Sequence, residues 1–236
     1  MNKIIDNFIP DFYKKISKKE FKMNSFLLAV GGYGTLITIL LIFQLTDTIS
    51  IFDNSFSRNL FVGMTGILLI NLICIFVFKN KHIQKYLVIV VYLSGVVFLF
   101  FMLATVTLLI ENSLEVFLKE SIVILIGVVI GFLYNLFLVK ISLNKQDFSI
   151  RDSFANYYMN ILGGIGTIIL LLSITIDNTK LLFIGVPFVV ISLLCLSFFH
   201  FSRVVNYWKK ESNIELDKSI YGNSIEMMKN KKNKKQ

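Results

Sequence analysis

The stretch Ser121-Ile122-Val123-Ile124-Leu125-Ile126-Gly127-Val128-Val129-Ile130-Gly131-Phe132-Leu133-Tyr134-Asn135-Leu136-Phe137-Leu138-Val139 contains no Asp, Glu, Lys, Arg or His. A helix rises about 1.5 Å per residue, so about 20 residues cross a hydrocarbon core of about 30 Å. A charge at the centre of such a helix costs roughly 2.5–3.5 kcal/mol on insertion scales, so an uncharged run of this length reads as a span. Five more such runs lie around it: Met23 to Thr46, Asn59 to Phe78, Tyr86 to Ile110, Ser153 to Ile176 and Leu181 to Phe199. Barrel strands alternate apolar and polar over about ten residues, whereas these runs are apolar on every side. The pattern predicts an all-α integral membrane protein whose six transmembrane helices follow one another as three hairpins.

Composition points the same way. Of the 236 residues 55% are hydrophobic and 17% charged, whereas a soluble domain carries about 25% charged residues. An ordinary soluble enzyme and a disordered chain are both excluded. Cys74 and Cys195 lie inside apolar runs with no Cys or His beside them at metal spacing, which argues against a disulfide framework or a zinc site.

Basic residues are segregated by loop. Six lie in the N-terminal tail, three between Lys79 and Lys85, three between Lys140 and Arg151, and nine from Arg203 to Lys235. The alternate loops hold only Arg58, Lys119 and Lys180. Loops rich in Lys and Arg stay in the cytoplasm, so both termini are expected inside and the number of spans is even. The inner side would carry 21 basic and 9 acidic residues, a net +12, and the outer loops 3 basic and 6 acidic, a net −3. Tyr86, Tyr157, Tyr158, Tyr207 and Trp208 fall at the expected inner interface, where amphipathic rings settle. The expected location is the cell membrane, with lipids as the first partner.

Three regions follow: residues 1–22, a six-helix domain over 23–204, and a basic cytoplasmic tail over 205–236 expected to be disordered at its end. In the first, Ile4, Ile5, Phe8, Ile9, Phe12, Tyr13 and Ile16 share a helical face that Pro10 interrupts; the expectation is one or two short helices on the inner leaflet, or else a poorly ordered tail whose apolar residues dip into the headgroups. The run from Lys229 to Lys235 is polybasic and suits an anionic leaflet rather than nucleic acid.

An internal repeat is also legible. Gly31-Gly32-Tyr33-Gly34-Thr35 matches Gly163-Gly164-Ile165-Gly166-Thr167, Asp53-Asn54-Ser55 matches Asp177-Asn178-Thr179, and Leu60-Phe61-Val62-Gly63 matches Leu182-Phe183-Ile184-Gly185. The two hairpins would face the same way, a parallel repeat of helices 1–2 and 5–6 about an axis along the membrane normal.

Groups able to do chemistry are scarce. The six apolar runs hold no Asp, Glu, Lys, Arg or His, His82 and His200 sit outside them or at an end, and no H-E-x-x-H, G-x-S-x-G or P-loop occurs. No catalytic residue, metal ligand or cofactor is assigned, and the chain is read as a non-enzyme. What remains is small or acidic. Gly127 and Gly131 form G-x-x-x-G, and Gly31, Gly32 and Gly34, like Gly163, Gly164 and Gly166, make flat faces for intramolecular packing, a partner helix or a second copy. Asn71, Asn135, Thr35 and Thr167 could hydrogen bond between helices, and Pro187 could kink the last span. In the outer loops Asp47, Asp53, Asn54, Glu111, Glu115, Asp177 and Asn178 are candidate contacts for an approaching partner.

Phe8-Ile9-Pro10, followed by Tyr13-Lys14-Lys15-Ile16-Ser17-Lys18-Lys19-Glu20-Phe21 and a glycine-rich first span, resembles a family of multi-pass membrane proteins of Gram-positive bacteria. That family includes the immunity partner of a membrane-depolarising toxin exported by type VII secretion. The resemblance implies an immunity protein that binds and neutralises such a toxin within the membrane, and it supplies no catalytic residue. A rival reading is the permease subunit of an exporter of peptides or bacteriocins. Such a subunit needs a cytoplasmic coupling helix, and the loop from Lys140 to Asn156 alone has the length.

Overall fold

The structure is a computed structural model that describes residues 4, 7–17, 22–46, 48–52, 54–80 and 83–216. Among these the regular elements are all helical: α1 (Asp11–Ser17), α2 (Asn24–Leu45), α3 (Ser55–Val77), α4 (Gln84–Thr107), α5 (Ser113–Lys145), α6 (Ser149–Phe154), a π-helical turn (Ala155–Met159), α7 (Asn160–Ile176) and α8 (Thr179–Leu216). Six segments are long and apolar enough to cross a membrane, one for each expected span. Only 17–39% of each apolar window is buried inside the protein. Leu28, Leu45 and Phe76 are among the apolar side chains pointing outward. Helices that are apolar all round and satisfy their own backbone hydrogen bonds are what a hydrocarbon solvent selects. The chain is a multi-pass membrane protein.

Two of the three expected hairpins pack as such, α2 with α3 and α7 with α8. The middle pair packs less extensively. α4 and α5 each pack more extensively against α8 than against one another, so α8 is the central helix. Tyr33, Leu40, Met64 and Ala104 fill a core among α2, α3 and α4. Leu103, Ile124, Val190, Cys195 and Phe199 fill a second core among α4, α5 and α8.

Helix ends extend past the apolar runs. α5 continues at both ends of the Ser121–Val139 run and takes in an exposed Glu115–Lys119 ion pair of 2.7 Å, an i,i+4 spacing that supports a helix. α8 continues to Leu216, so the region expected as a tail begins as helix, with the Trp208 indole N–H donating to the Lys85 carbonyl at 3.2 Å. The Lys229–Lys235 run lies outside the described residues. α8 also passes through Pro187 without interruption.

Two sharp turns share one construction. Gln146 (φ 54°) and Asp177 (φ 53°) end α5 and α7 in the left-handed region, and the next residue's N–H reaches back five positions, Asp147 to Ser142 at 3.1 Å and Asn178 to Ser173 at 3.0 Å. That N–H to carbonyl closure satisfies helix C-terminal carbonyls. Asp147 and Asn178 then cap the following helix by accepting from the N–H of Ser149 (2.9 Å) and Lys180 (3.1 Å).

The N-terminal segment is docked on protein rather than lying on the leaflet alone. The Phe8 ring sits edge-on to Phe132, Phe198 and Phe199, and its carbonyl accepts from Asn135 Nδ2 at 3.0 Å. α1 begins directly after Pro10, where a missing N–H costs nothing. It packs along α8, with Tyr13 against Phe199 and His200. Arg151, 1% exposed, pairs with Asp11 Oδ2 at 3.1 Å and Asp152 Oδ1 at 2.7 Å. Phe12 stays exposed.

Candidate functional site

The glycines divide into filled and open positions. A Cβ on Gly127 would meet Ile191 Cδ1 at 2.5 Å, and one on Gly131 would meet the Tyr158 ring at 2.8 Å and Cys195 Sγ at 3.2 Å. Gly163 faces Ser192 Oγ at 3.1 Å, Gly166 faces the Gly185 carbonyl oxygen at 2.9 Å, and Gly32 faces the Phe98 ring at 3.0 Å. The G-x-x-x-G face of α5 is thus occupied by this chain's own α8 and by Tyr158. Gly31, Gly34 and Gly164 have nothing within 4 Å of a built Cβ.

One open glycine, Gly95, lines an opening on one side of the bundle. Ser25, Ala29 and Gly32 recur at helical spacing on α2 and face Val91, Gly95 and Phe98 of α4 across a groove of about 340 Å³. Gly95 also has open space around a built Cβ, and Leu28 at the rim is 77% exposed. The groove is held in shape from behind by polar contacts among three helices. The Tyr33 hydroxyl donates to the Ser94 carbonyl at 2.7 Å, and Asn71 Nδ2 donates to Ser94 Oγ at 2.7 Å and to the Ile67 carbonyl at 2.9 Å. In an apolar medium such bonds between helices each stabilise by about 0.6–2 kcal/mol.

A second opening lies between the α2–α3 and α4–α5 connections. It has about 830 Å³ and brings together three of the candidate outer-loop residues, Asn54, Glu111 and Glu115. Asn54 is also the N-cap of α3 and accepts from the Phe56 N–H at 2.9 Å. Asp177 and Asn178 are turn residues of the α7–α8 hairpin and do not line it. Asp47 and Asp53 lie outside the described residues.

Of the four polar side chains expected to bond between helices, Asn71 does so, and Asn135 instead holds the N-terminal segment. Thr35 and Thr167 bond back within their own helices, to the carbonyls of Gly31 and Gly163. Sequence reasoning gave no bonding role to Tyr33, Ser94 or Tyr158, the last expected only as a ring at the inner interface. The hydroxyl of Tyr158 donates to the Gly127 carbonyl at 2.9 Å from the π-helical turn, and Ser192 Oγ donates to the Met159 carbonyl of that turn at 2.7 Å. A polar Ser94 within an apolar run was the one signal available for this set. Among the described residues no group of three His, Cys, Asp or Glu side chains could hold a metal ion. Compared with known proteins, the chain matches no family model, no curated protein and no solved structure.

Proposed function

We propose that this protein belongs to the immunity family that its Phe8-Ile9-Pro10 region resembles, and that it protects its cell by binding a membrane-depolarising protein toxin inside the bilayer. In this reading both termini are cytoplasmic and the protein works by packing, not by catalysis. The observation that carries it is the α2–α4 groove. It has small residues on both walls, one of them the open Gly95, and a hydrogen-bonded polar backing, the kind of surface on which helix backbones approach closely in lipid. A toxin helix lying there would be withheld from its conducting arrangement.

The exporter reading is less well supported. Its coupling helix was expected between Lys140 and Asn156, but α5 continues to Lys145, and the short α6 turns Arg151 and Phe154 inward to the bundle. The remaining connection, Gln146 to Phe148, offers an ATPase little to grip.

The experiment is membrane potential, read with a voltage-sensitive dye in cells expressing a co-encoded candidate toxin. Wild-type protein should prevent depolarisation. Gly95→Leu, which fills open space in the groove, should restore it while membrane levels of the protein stay the same. Failure of the wild type against a toxin that depolarises control cells would overturn the immunity reading for that toxin. Full protection by Gly95→Leu would remove the groove from it.

A further inference from the structure

We propose that the cleft between the α2–α3 and α4–α5 connections is a docking site for a cationic, amphipathic peptide segment arriving at the outer face. The proposal rests on the orientation and the immunity reading above, and names the part of a partner that would be met first.

Three observations carry it. The first is size, because about 830 Å³ falls within the roughly 300–1,000 Å³ of established ligand pockets and admits several side chains. The second is a mixed lining. Glu111 and Glu115 stand beside Ile49, Ile110 and Leu114, and Leu114 is 50% exposed between the two carboxylates. A surface with carboxylates alternating with apolar side chains is complementary to a segment whose cationic and apolar residues alternate likewise. The third is an unanswered polar group. Ser113 also lines the cleft, is 6% exposed, and its hydroxyl has no hydrogen-bond partner among the described residues.

Charge favours this occupant over an anionic one. Glu111 makes no ion pair with any described residue, and Glu115 is matched by Lys119 in an exposed pair that an incoming cation can share. The outer loops as assigned carry a net −3. Low-dielectric walls focus such a field and raise the local concentration of an oppositely charged ligand. A zwitterionic lipid headgroup could enter the same opening, and the test separates it by its background.

The test uses the full chain in phosphatidylcholine nanodiscs. The probe is a fluorescent helical peptide of Lys and Leu, compared with a counterpart carrying Glu for Lys, and binding to empty discs is subtracted. The Lys peptide should bind above background and the Glu peptide should not. Glu111→Gln with Glu115→Gln should weaken binding about fivefold, the scale of two exposed charge contacts. Raising salt from about 0.01 M to about 1 M shortens the Debye length from about 30 Å to about 3 Å and should erase that difference. Ser113→Leu, which obstructs the cleft without touching charge, should weaken binding at both salt concentrations. Binding equal to that of empty discs, or equal in the wild type and the double glutamine variant, overturns the proposal. Protection from a toxin with no such dependence on Glu111 and Glu115 overturns the cleft alone. A charge-dependent cleft in a protein that protects against no depolarising toxin overturns the immunity reading and leaves the cleft standing.

Discussion

Gly166 and Gly185 stand backbone to backbone across the α7–α8 hairpin. A Cβ on Gly166 would lie 2.9 Å from the Gly185 carbonyl oxygen, and one on Gly185 would lie 3.1 Å from that of Gly166. Their sequence counterparts in the first hairpin behave otherwise: Gly34 has open space, and Gly63 faces the Phe101 ring. In the matched loop stretches, Asn54 and Asn178 both cap the helix that follows. The two hairpins share an asparagine cap and differ in their turns and in how closely these glycine-bearing faces approach.

Opposite signs are therefore expected for one substitution at two matched sites. Gly166→Ala presses a methyl against backbone, which cannot swing aside, and should destabilise by about 1–3 kcal/mol. Gly34→Ala meets nothing and gains helix propensity, about 0.5–1 kcal/mol. For a protein of this size each kcal/mol moves the unfolding midpoint by about 2–4 °C. Thermal unfolding in detergent checks both; shifts of the same sign would refute the distinction.

Tyr158 supports the π-helical turn in two ways, stacking on Phe154 at 5.1 Å and donating to the Gly127 carbonyl. Tyr158→Phe keeps the ring and removes only the hydroxyl, so a loss of about 1 kcal/mol is expected. Tyr158→Ala empties the space over Gly131 as well and should cost about 3 kcal/mol or more. A midpoint unchanged in Tyr158→Phe would show that the hydroxyl bond does not stabilise the turn.

The N-terminal strap should loosen in acid. Burial pushes the Asp11 carboxyl up, but its hydrogen bond to Arg151, the Arg151 charge and Lys14 outweigh this and hold it below its ordinary value of 3.8. A carboxyl whose folded-state pKa is depressed stabilises fully above the unfolded value and loses that contribution as pH falls through the folded one. That contribution should thus be intact at neutral pH and lost only as pH falls below the ordinary value of 3.8, loosening the strap. The Asp11 side chain is 57% exposed, so screening keeps the effect small. An environment-sensitive dye on Phe12→Cys should shift its emission in that acid range, and Asp11→Asn should show the shifted emission already at neutral pH. Emission that is the same at all pH values and in both variants would mean that the ion pair does not hold the strap.

The spans were legible because uncharged length is a one-dimensional property, and so was the charge segregation. Their packing was not. Apolar helices in lipid carry no stripe that says which side meets protein, so nothing in the runs placed α8 at the centre, with α4 and α5 packed more on it than on each other. The same limit applied to the glycines: G-x-x-x-G at Gly127 and Gly131 marks a face that accepts close approach, but not whether Ile191 and Tyr158 or a foreign helix fills it. Pro10, expected only to interrupt the helical pattern, stands directly before α1. The apolar face of residues 8–13 could not say that it would meet phenylalanines rather than lipid, because both are apolar. The buried Arg151 was hidden for a related reason, being counted with the loop charges when its partner lay 140 positions earlier, at Asp11.

Orientation remains the premise on which the outer cleft depends, and it can be tested directly. Cys74 and Cys195 are both buried free thiols, so Cys74→Ala and Cys195→Ala give a background without competing labels. In it, Glu111→Cys should react with a membrane-impermeant maleimide in intact cells, because Glu111 lines the cleft and is exposed. Lys145→Cys, exposed at the other end of α5, should react only after the membrane is opened. A helix of 33 residues is about 50 Å long, more than the roughly 30 Å hydrocarbon core, so its two ends cannot reach the same compartment. The reverse pattern would put the basic loops outside against the positive-inside rule, and the acidic cleft would then face the cytoplasm, where no toxin arriving from outside would meet it first.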